Sequence, residues 1–181
     1  MNLIEVKGPI ISNDDAWIYE WLDWEHTCPK SINKKLKDFN GQDVTVEINS
    51  PGGSVFAGSE IYTALKSYQG NVTVKIVGLA ASAASVIAMA GNKVIMSPTA
   101  QMMIHNSSIW AEGDKNYMNH TADFLKGIDE SISSAYKLKS GLTAEELLEL
   151  MDNETWMTAK TALELGLVDE IMFESEIPEI V

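Results

Sequence analysis

The chain has 181 residues, 45% of them hydrophobic and 22% charged, which fits one packed domain and excludes a disordered or collagen-like chain. A formal net charge of −13 disfavours electrostatic binding to nucleic-acid phosphates or anionic lipid, so neither nucleic acid nor membrane is an expected partner. All 13 cations are Lys, so the rigid arginine fork for carboxylates is absent, and the single Cys28 cannot form an intramolecular disulfide, as suits a reducing cytoplasm.

The opening segment lacks a basic region followed by an apolar run, so no secretory signal is expected. Asn2 to Ile11 predicts a short strand ending at Pro9, and Ser12 to Asp15 has the residue types of a helix start. The helix that follows carries Trp17, Ile18, Trp21 and Leu22 at the spacing of a buried stripe, a core or subunit contact. Pro29 to Phe39 predicts a second helix, with Ile32, Leu36 and Phe39 inward and a lysine-rich solvated face.

Asn40-Gly41 marks a turn, and the β-branched run from Val44 to Ile48 predicts a strand stopping at Asn49-Ser50-Pro51-Gly52-Gly53. A helix through Ile61, Ala64 and Leu65 leads to a strand over Val72 to Val77 that Gly78 closes. This order implies a parallel βαβ unit. The pattern repeats with a helix over Ala80 to Ala90, a strand over Lys93 to Met96 and another from Gln101 to Ile104. Beyond these, Asn116 to Lys139 predicts one long helix ending near Gly141, Thr143 to Met151 opens on a capping sequence, and Thr158 to Leu165 ends at Gly166. Val168 to Phe173 reads as a closing strand, and the acidic tail from Glu174 as loose chain on the single domain spanning 1–181.

Three features on successive units carry chemistry. Gly52-Gly53 allows positive φ and leaves backbone N–H groups open to a carbonyl oxygen. Ser82 falls between a strand and a helix, where the N–H of Ala83 and the helix dipole favour developing negative charge. His105 ends a strand at the same sheet edge, where an imidazole can take a proton from Ser82 near neutral pH. His26 and His120 read as bystanders, and Ser85, one turn after Ser82, is expected to be dispensable. Nucleophilic acyl transfer needs just such a hydroxyl, a base and paired donors, and it calls for no metal or cofactor.

Four segments in order, Ile48-Asn49-Ser50-Pro51-Gly52-Gly53, Gly78-Leu79-Ala80-Ala81-Ser82-Ala83, Met103-Ile104-His105-Asn106 and Ala162 to Asp169, resemble the motifs of the Clp proteolytic subunit. The resemblance spans about Val44 to Ile171. Lys7-Gly8-Pro9-Ile10 and the Trp-rich helix look like the Clp-related head maturation proteases of phages and prophages.

That resemblance implies an α/β, crotonase-like fold of repeated ββα units with a long handle helix, and homo-oligomeric stacked rings. It implies a serine endopeptidase with Ser82 as nucleophile, His105 as base, and the amides of Gly53 and Ala83 as oxyanion hole. Where the family has Asp-Arg before its last helix this chain has Glu154-Thr155, which makes Glu154 the expected third triad member and Asp152 the alternative. The expected activity is ATP-independent cleavage of a capsid or scaffold polypeptide in a bacterial or phage-infected cytoplasm. A degradative chamber served by an ATP-driven unfoldase, a crotonase-like acyl-CoA enzyme and a non-enzymatic scaffold are the alternatives.

Overall fold

A computed structural model describes residues 2–174, so the acidic tail lies almost wholly outside the described residues. The chain order is β1 (Asn2–Lys7), α1 (Ala16–Trp21), α2 (Pro29–Phe39), β2 (Val44–Ser50), α3 (Val55–Lys66), β3 (Val72–Ala81) and α4 (Ala83–Ala88). It continues through β4 (Lys93–Met96), β5 (Gln101–Ile104), α5 (Lys115–Ser140), α6 (Ala144–Asp152), β6 (Thr155–Thr158), α7 (Ala159–Glu164) and β7 (Glu170–Ile171). This is the mixed α/β architecture expected of a Clp protease-like fold.

β1, β2, β3, β4 and β7 lie side by side in a parallel sheet, in register from Ile4 against Val46 and Val46 against Val74. Ile4, Val46, Ile48, Val74, Ile76 and Val94 are fully buried, as parallel strands covered by helices require. Against the sheet pack Ile32 and Leu36 of α2, Ile61 and Leu65 of α3 and Ile87 of α4. The helix ends follow local rules. Asn40 closes α2 in the left-handed region, Gly141 closes α5, and Thr143 with Glu146 forms a capping box at α6.

The closing strand is shorter than read, Glu170–Ile171, and two further boundaries that differ from the sequence reading shape the functional edge. Gly78 does not end β3. The Asn49 side-chain oxygen accepts from the Leu79 N–H, and a Cβ on residue 78 would lie 2.5 Å from that oxygen, so Gly78 makes room for the side chain beside a strand that continues. Past this point β3 runs on to Ala81 and exchanges its partner, from β4 to β5. The helix expected from Ala80 therefore begins only at Ala83.

β6 was not foreseen; it pairs antiparallel with β5 and joins Ile104 to Thr155. The aromatic stripe of α1 is a further correction. α1 contributes no buried residue, and Trp17 and Trp21 are 65% and 79% exposed, so within this chain they are surface and not core.

Candidate active site

Ser82 is the single residue between β3 and α4, with φ +55° and ψ −126°. Outside glycine such a backbone is rare and strained, and it persists only where neighbours hold it. Here its N–H donates to the Met103 carbonyl of β5 at 2.9 Å. Its own carbonyl accepts from the N–H of Ser85 at 2.9 Å and of Val86 at 3.3 Å, and from the Ser85 hydroxyl at 2.6 Å. The sharp turn turns the Ser82 side chain out of the core, toward the end of β5.

His105 follows directly on β5, and its Nε2 lies 2.8 Å from Ser82 Oγ. The structure thus brings together the two side chains singled out in the sequence, 23 positions apart in the chain, at hydrogen-bond distance.

The glycine loop closes over this pair. Ser50 donates its hydroxyl to the Gly8 carbonyl and accepts the Gly52 N–H, while the Ile10 N–H donates to Gly52 O and Ser54 N–H to Ile10 O. These bonds hold Gly52 at φ +92° and Gly53 at φ +147°. A Cβ at Gly53 would meet the Ile10 carbonyl oxygen at 2.1 Å, so only glycine fits there. One at Gly52 would stand 2.7 Å from Ser82 Cβ and 3.0 Å from Ala83 N, so the loop backbone lies directly against the serine turn. As first residue of α4, Ala83 has an N–H with no intrahelical acceptor.

A cleft of about 550 Å³ is lined by Ser82 and His105 together with Gly53 and Ala83. Its remaining walls are mainly apolar, from Phe56, Val86, Met103 and the α5 residues Phe124, Ile128 and Ile132, with Ser54, Ser107 and Ser108 among them. Among the described residues no cluster of side chains is suited to hold a metal ion.

Neither candidate carboxylate is on the imidazole in this structure. Ile104 pairs with Thr155 at the end of the β5–β6 ladder, so His105 and Glu154 are the next positions outward. Glu154 stands at φ +45°, and its carboxylate accepts from the Trp156 indole N–H at 3.3 Å. Asp152 instead accepts from the Asn106 amide at 2.6 Å. Two groups not foreseen from the sequence also bear on the site. Buried Asp129 of α5 accepts the N–H and hydroxyl of Ser107 at 2.6 and 2.7 Å, anchoring the segment after His105. Buried Ser85, expected to be a bystander, is bonded to the serine turn itself. The Asp129 contact joins residues 22 positions apart, which no local pattern announces, whereas the Ser85 hydroxyl bonds back three residues within the turn itself.

Parallel strands, a strained serine turn and a glycine loop at one sheet edge define the Clp-type α/β class. The Clp protease family profile matches residues 35–175, and the chain belongs to that family. It is 34% identical over 136 residues to an ATP-dependent Clp protease proteolytic subunit of Bacteroides fragilis, covering 74% of this chain and 66% of that protein. It is 31% identical over 164 residues to proteolytic subunit 2 of Tropheryma whipplei, covering 88% and 91%. Identity to proteolytic subunit 1 of Chlamydia abortus is 36% over 138 residues, covering 74% and 71%. The matched stretch spans just under two thirds of the Bacteroides fragilis proteins, 66% and 62% of their lengths. Among the described residues no helix is long and apolar enough to cross a membrane.

Proposed function

We propose that this chain is a serine-type endopeptidase subunit in which Ser82 attacks the peptide carbonyl and His105 is the general base. The observation that carries the reading is the 2.8 Å approach of His105 Nε2 to the hydroxyl of a serine on a strained strand-to-helix turn. As Oγ bonds to the carbonyl carbon, its proton passes to Nε2, and the carbonyl oxygen gains negative charge between the N–H groups of Gly53 and Ala83. Collapse of the tetrahedral species breaks the C–N bond while His105 returns the proton to the leaving amine. Water then repeats the sequence on the acyl-enzyme and releases Ser82. Glu154 completes the triad by turning from Trp156 to the Nδ1–H of His105, one ladder step away, where it holds the tautomer and stabilises the imidazolium.

The substrate is an extended polypeptide lying in the apolar cleft, and the working form is a homo-oligomer of stacked rings enclosing the sites. No ATP enters the chemistry at Ser82. The relatives' names, ATP-dependent proteolytic subunits, support a separate ATP-driven unfoldase as partner. Processing of a phage capsid or scaffold protein is the second reading. It draws on the segment before residue 35, which the family match leaves out and which carries the exposed Trp17, Trp21 and Trp24. The Ser82–His105 hydrogen bond favours either peptidase role over an acyl-CoA enzyme or a scaffold.

The test is turnover of an unfolded polypeptide by the wild type, Ser82→Ala and His105→Ala, with the oligomer followed by sedimentation. The reading expects a large active assembly, loss of turnover in Ser82→Ala and a fall of orders of magnitude in His105→Ala, with assembly retained. Turnover surviving in Ser82→Ala, turnover near wild type in His105→Ala, or an active monomer would count against it.

A further inference from the structure

Tyr136 and Ser85 place two hydroxyl groups in the apolar interior, 1% and 0% exposed and 2.8 Å apart. The direction of this pair follows from a third atom. Ser85 Oγ is also 2.6 Å from the Ser82 carbonyl oxygen, which can only accept, so the single Ser85 proton goes to that oxygen. Tyr136 must then donate to Ser85. The result is a directed chain, Tyr136 O–H to Ser85 O–H to Ser82 C=O, ending on the peptide between the nucleophile and Ala83.

That peptide is planar and trans, so its carbonyl and its N–H point in opposite directions. Drawing the Ser82 carbonyl into the first turn of α4 aims the Ala83 N–H the other way, toward the Gly52-Gly53 loop and the cleft. The usual helical bond to this carbonyl, from Val86 N–H, is long at 3.3 Å; the Ser85 N–H holds it at 2.9 Å, and the Ser85 hydroxyl adds the shortest bond, at 2.6 Å. Bonds accepted by a carbonyl also polarise its peptide and strengthen the N–H as a donor.

We propose that Tyr136 and Ser85 are positioning residues for the oxyanion hole, setting the direction and donor strength of the Ala83 N–H. The inference rests on the peptidase reading above and gives a buried residue of α5 a defined part in it.

The experiment compares wild type, Ser85→Ala, Tyr136→Phe and the double variant in kcat and KM on a fluorogenic peptide. Each is also measured for inhibition by a peptide aldehyde and by the corresponding peptide alcohol. The aldehyde carbon bonds to Ser82 Oγ as its C=O π bond opens and the hydroxyl proton passes to His105 Nε2, placing oxygen in the oxyanion position. The alcohol fills the cleft and forms no such oxygen.

Expected for Ser85→Ala is a fall in kcat of about tenfold, short of the roughly 10²–10³ lost with a whole oxyanion donor, at unchanged KM. Aldehyde affinity falls in step, while alcohol affinity holds. Tyr136→Phe does the same to a smaller degree, and adds nothing in the Ser85→Ala background, because both act through one chain. Wild-type kcat in the folded variants overturns the inference, as does equal loss of aldehyde and alcohol affinity, which marks a merely structural role. Should Ser85→Ala not fold, the aldehyde-to-alcohol ratio of Tyr136→Phe decides alone. A wild type whose Ser82 ignores the aldehyde overturns the peptidase reading and the inference together, whereas a reactive wild type with insensitive variants overturns only the inference.

Discussion

Replacing Gly52 with Ala presses directly on the serine turn. Gly52 sits at φ +92°, and an added Cβ would lie 2.6 Å from the Ala81 carbonyl oxygen, 2.7 Å from Ser82 Cβ and 3.0 Å from Ala83 N. Holding a non-glycine residue in such a backbone costs about 1–3 kcal/mol. Overfilling a packed site costs about 1–3 kcal/mol more. Together these remove about 2–6 kcal/mol from a stability of about 5–15 kcal/mol. The atoms in the way are backbone and a Cβ, not flexible side-chain ends, so the relief must come from moving the Ser82–Ala83 peptide. A displacement of about 1 Å at a reacting group can lower turnover about 10²-fold. Gly41→Ala is the control, because Gly41 also has positive φ, +79°, yet its nearest neighbours would lie 3.8 Å from the new Cβ. Urea unfolding and peptide turnover on both variants separate the effects. Gly41→Ala is expected to lose about 1–3 kcal/mol with turnover intact, and Gly52→Ala to lose more in both. Wild-type turnover in Gly52→Ala, or equal destabilisation of the two, would refute the steric argument.

Glu154→Gln is expected to lower turnover by about 10²-fold or more while Asp152→Asn changes it little; damage from Asp152→Asn alone would give Asp152 the triad role, and damage from neither would leave a Ser–His dyad. Gly127→Ala, in the exposed interior of α5 with nothing within 4 Å of the new Cβ, should stabilise the protein by about 1 kcal/mol in urea unfolding at unchanged turnover; a loss of stability would show that this face is closely covered. Burial holds the Tyr136 hydroxyl above the ordinary tyrosine value of 10.0. The unfolded chain therefore loses that proton first. Stability is full below the unfolded value and declines above it, by up to about 1.4 kcal/mol per pH unit per tyrosine. Urea midpoints on either side of that value should show the alkaline decline shallower in Tyr136→Phe, and an unchanged decline would refute the assignment.

What the sequence made legible was what is local. α2 has its expected bounds because Pro29 opens it and Asn40 accepts the left-handed closing turn, both short-range effects. Ser82 and His105 could be found because each ends or begins an element on the same edge of a parallel sheet. Gly78 misled because its purpose is to admit the Asn49 side chain, a contact that no window around residue 78 contains. β6 escaped for a related reason, since Thr155 to Thr158 is a strand only through its pairing with β5. The stripe on α1 has the period of a buried face but no covering partner among the described residues, so periodicity marked an apolar surface without saying what covers it. Asp129 and Tyr136 were invisible because their hydrogen bonds to Ser107 and Ser85 depend on how α5 crosses the sheet edge.

The central claim is that the Ser82 hydroxyl, activated by His105, is the nucleophile. Its most direct test is to treat the wild-type protein with a fluorophosphonate and locate the adduct by peptide mass spectrometry. The account predicts one phosphonylated residue, Ser82, with labelling abolished in Ser82→Ala and strongly slowed in His105→Ala. An adduct on another serine, or labelling of Ser82→Ala at the wild-type rate, would contradict it.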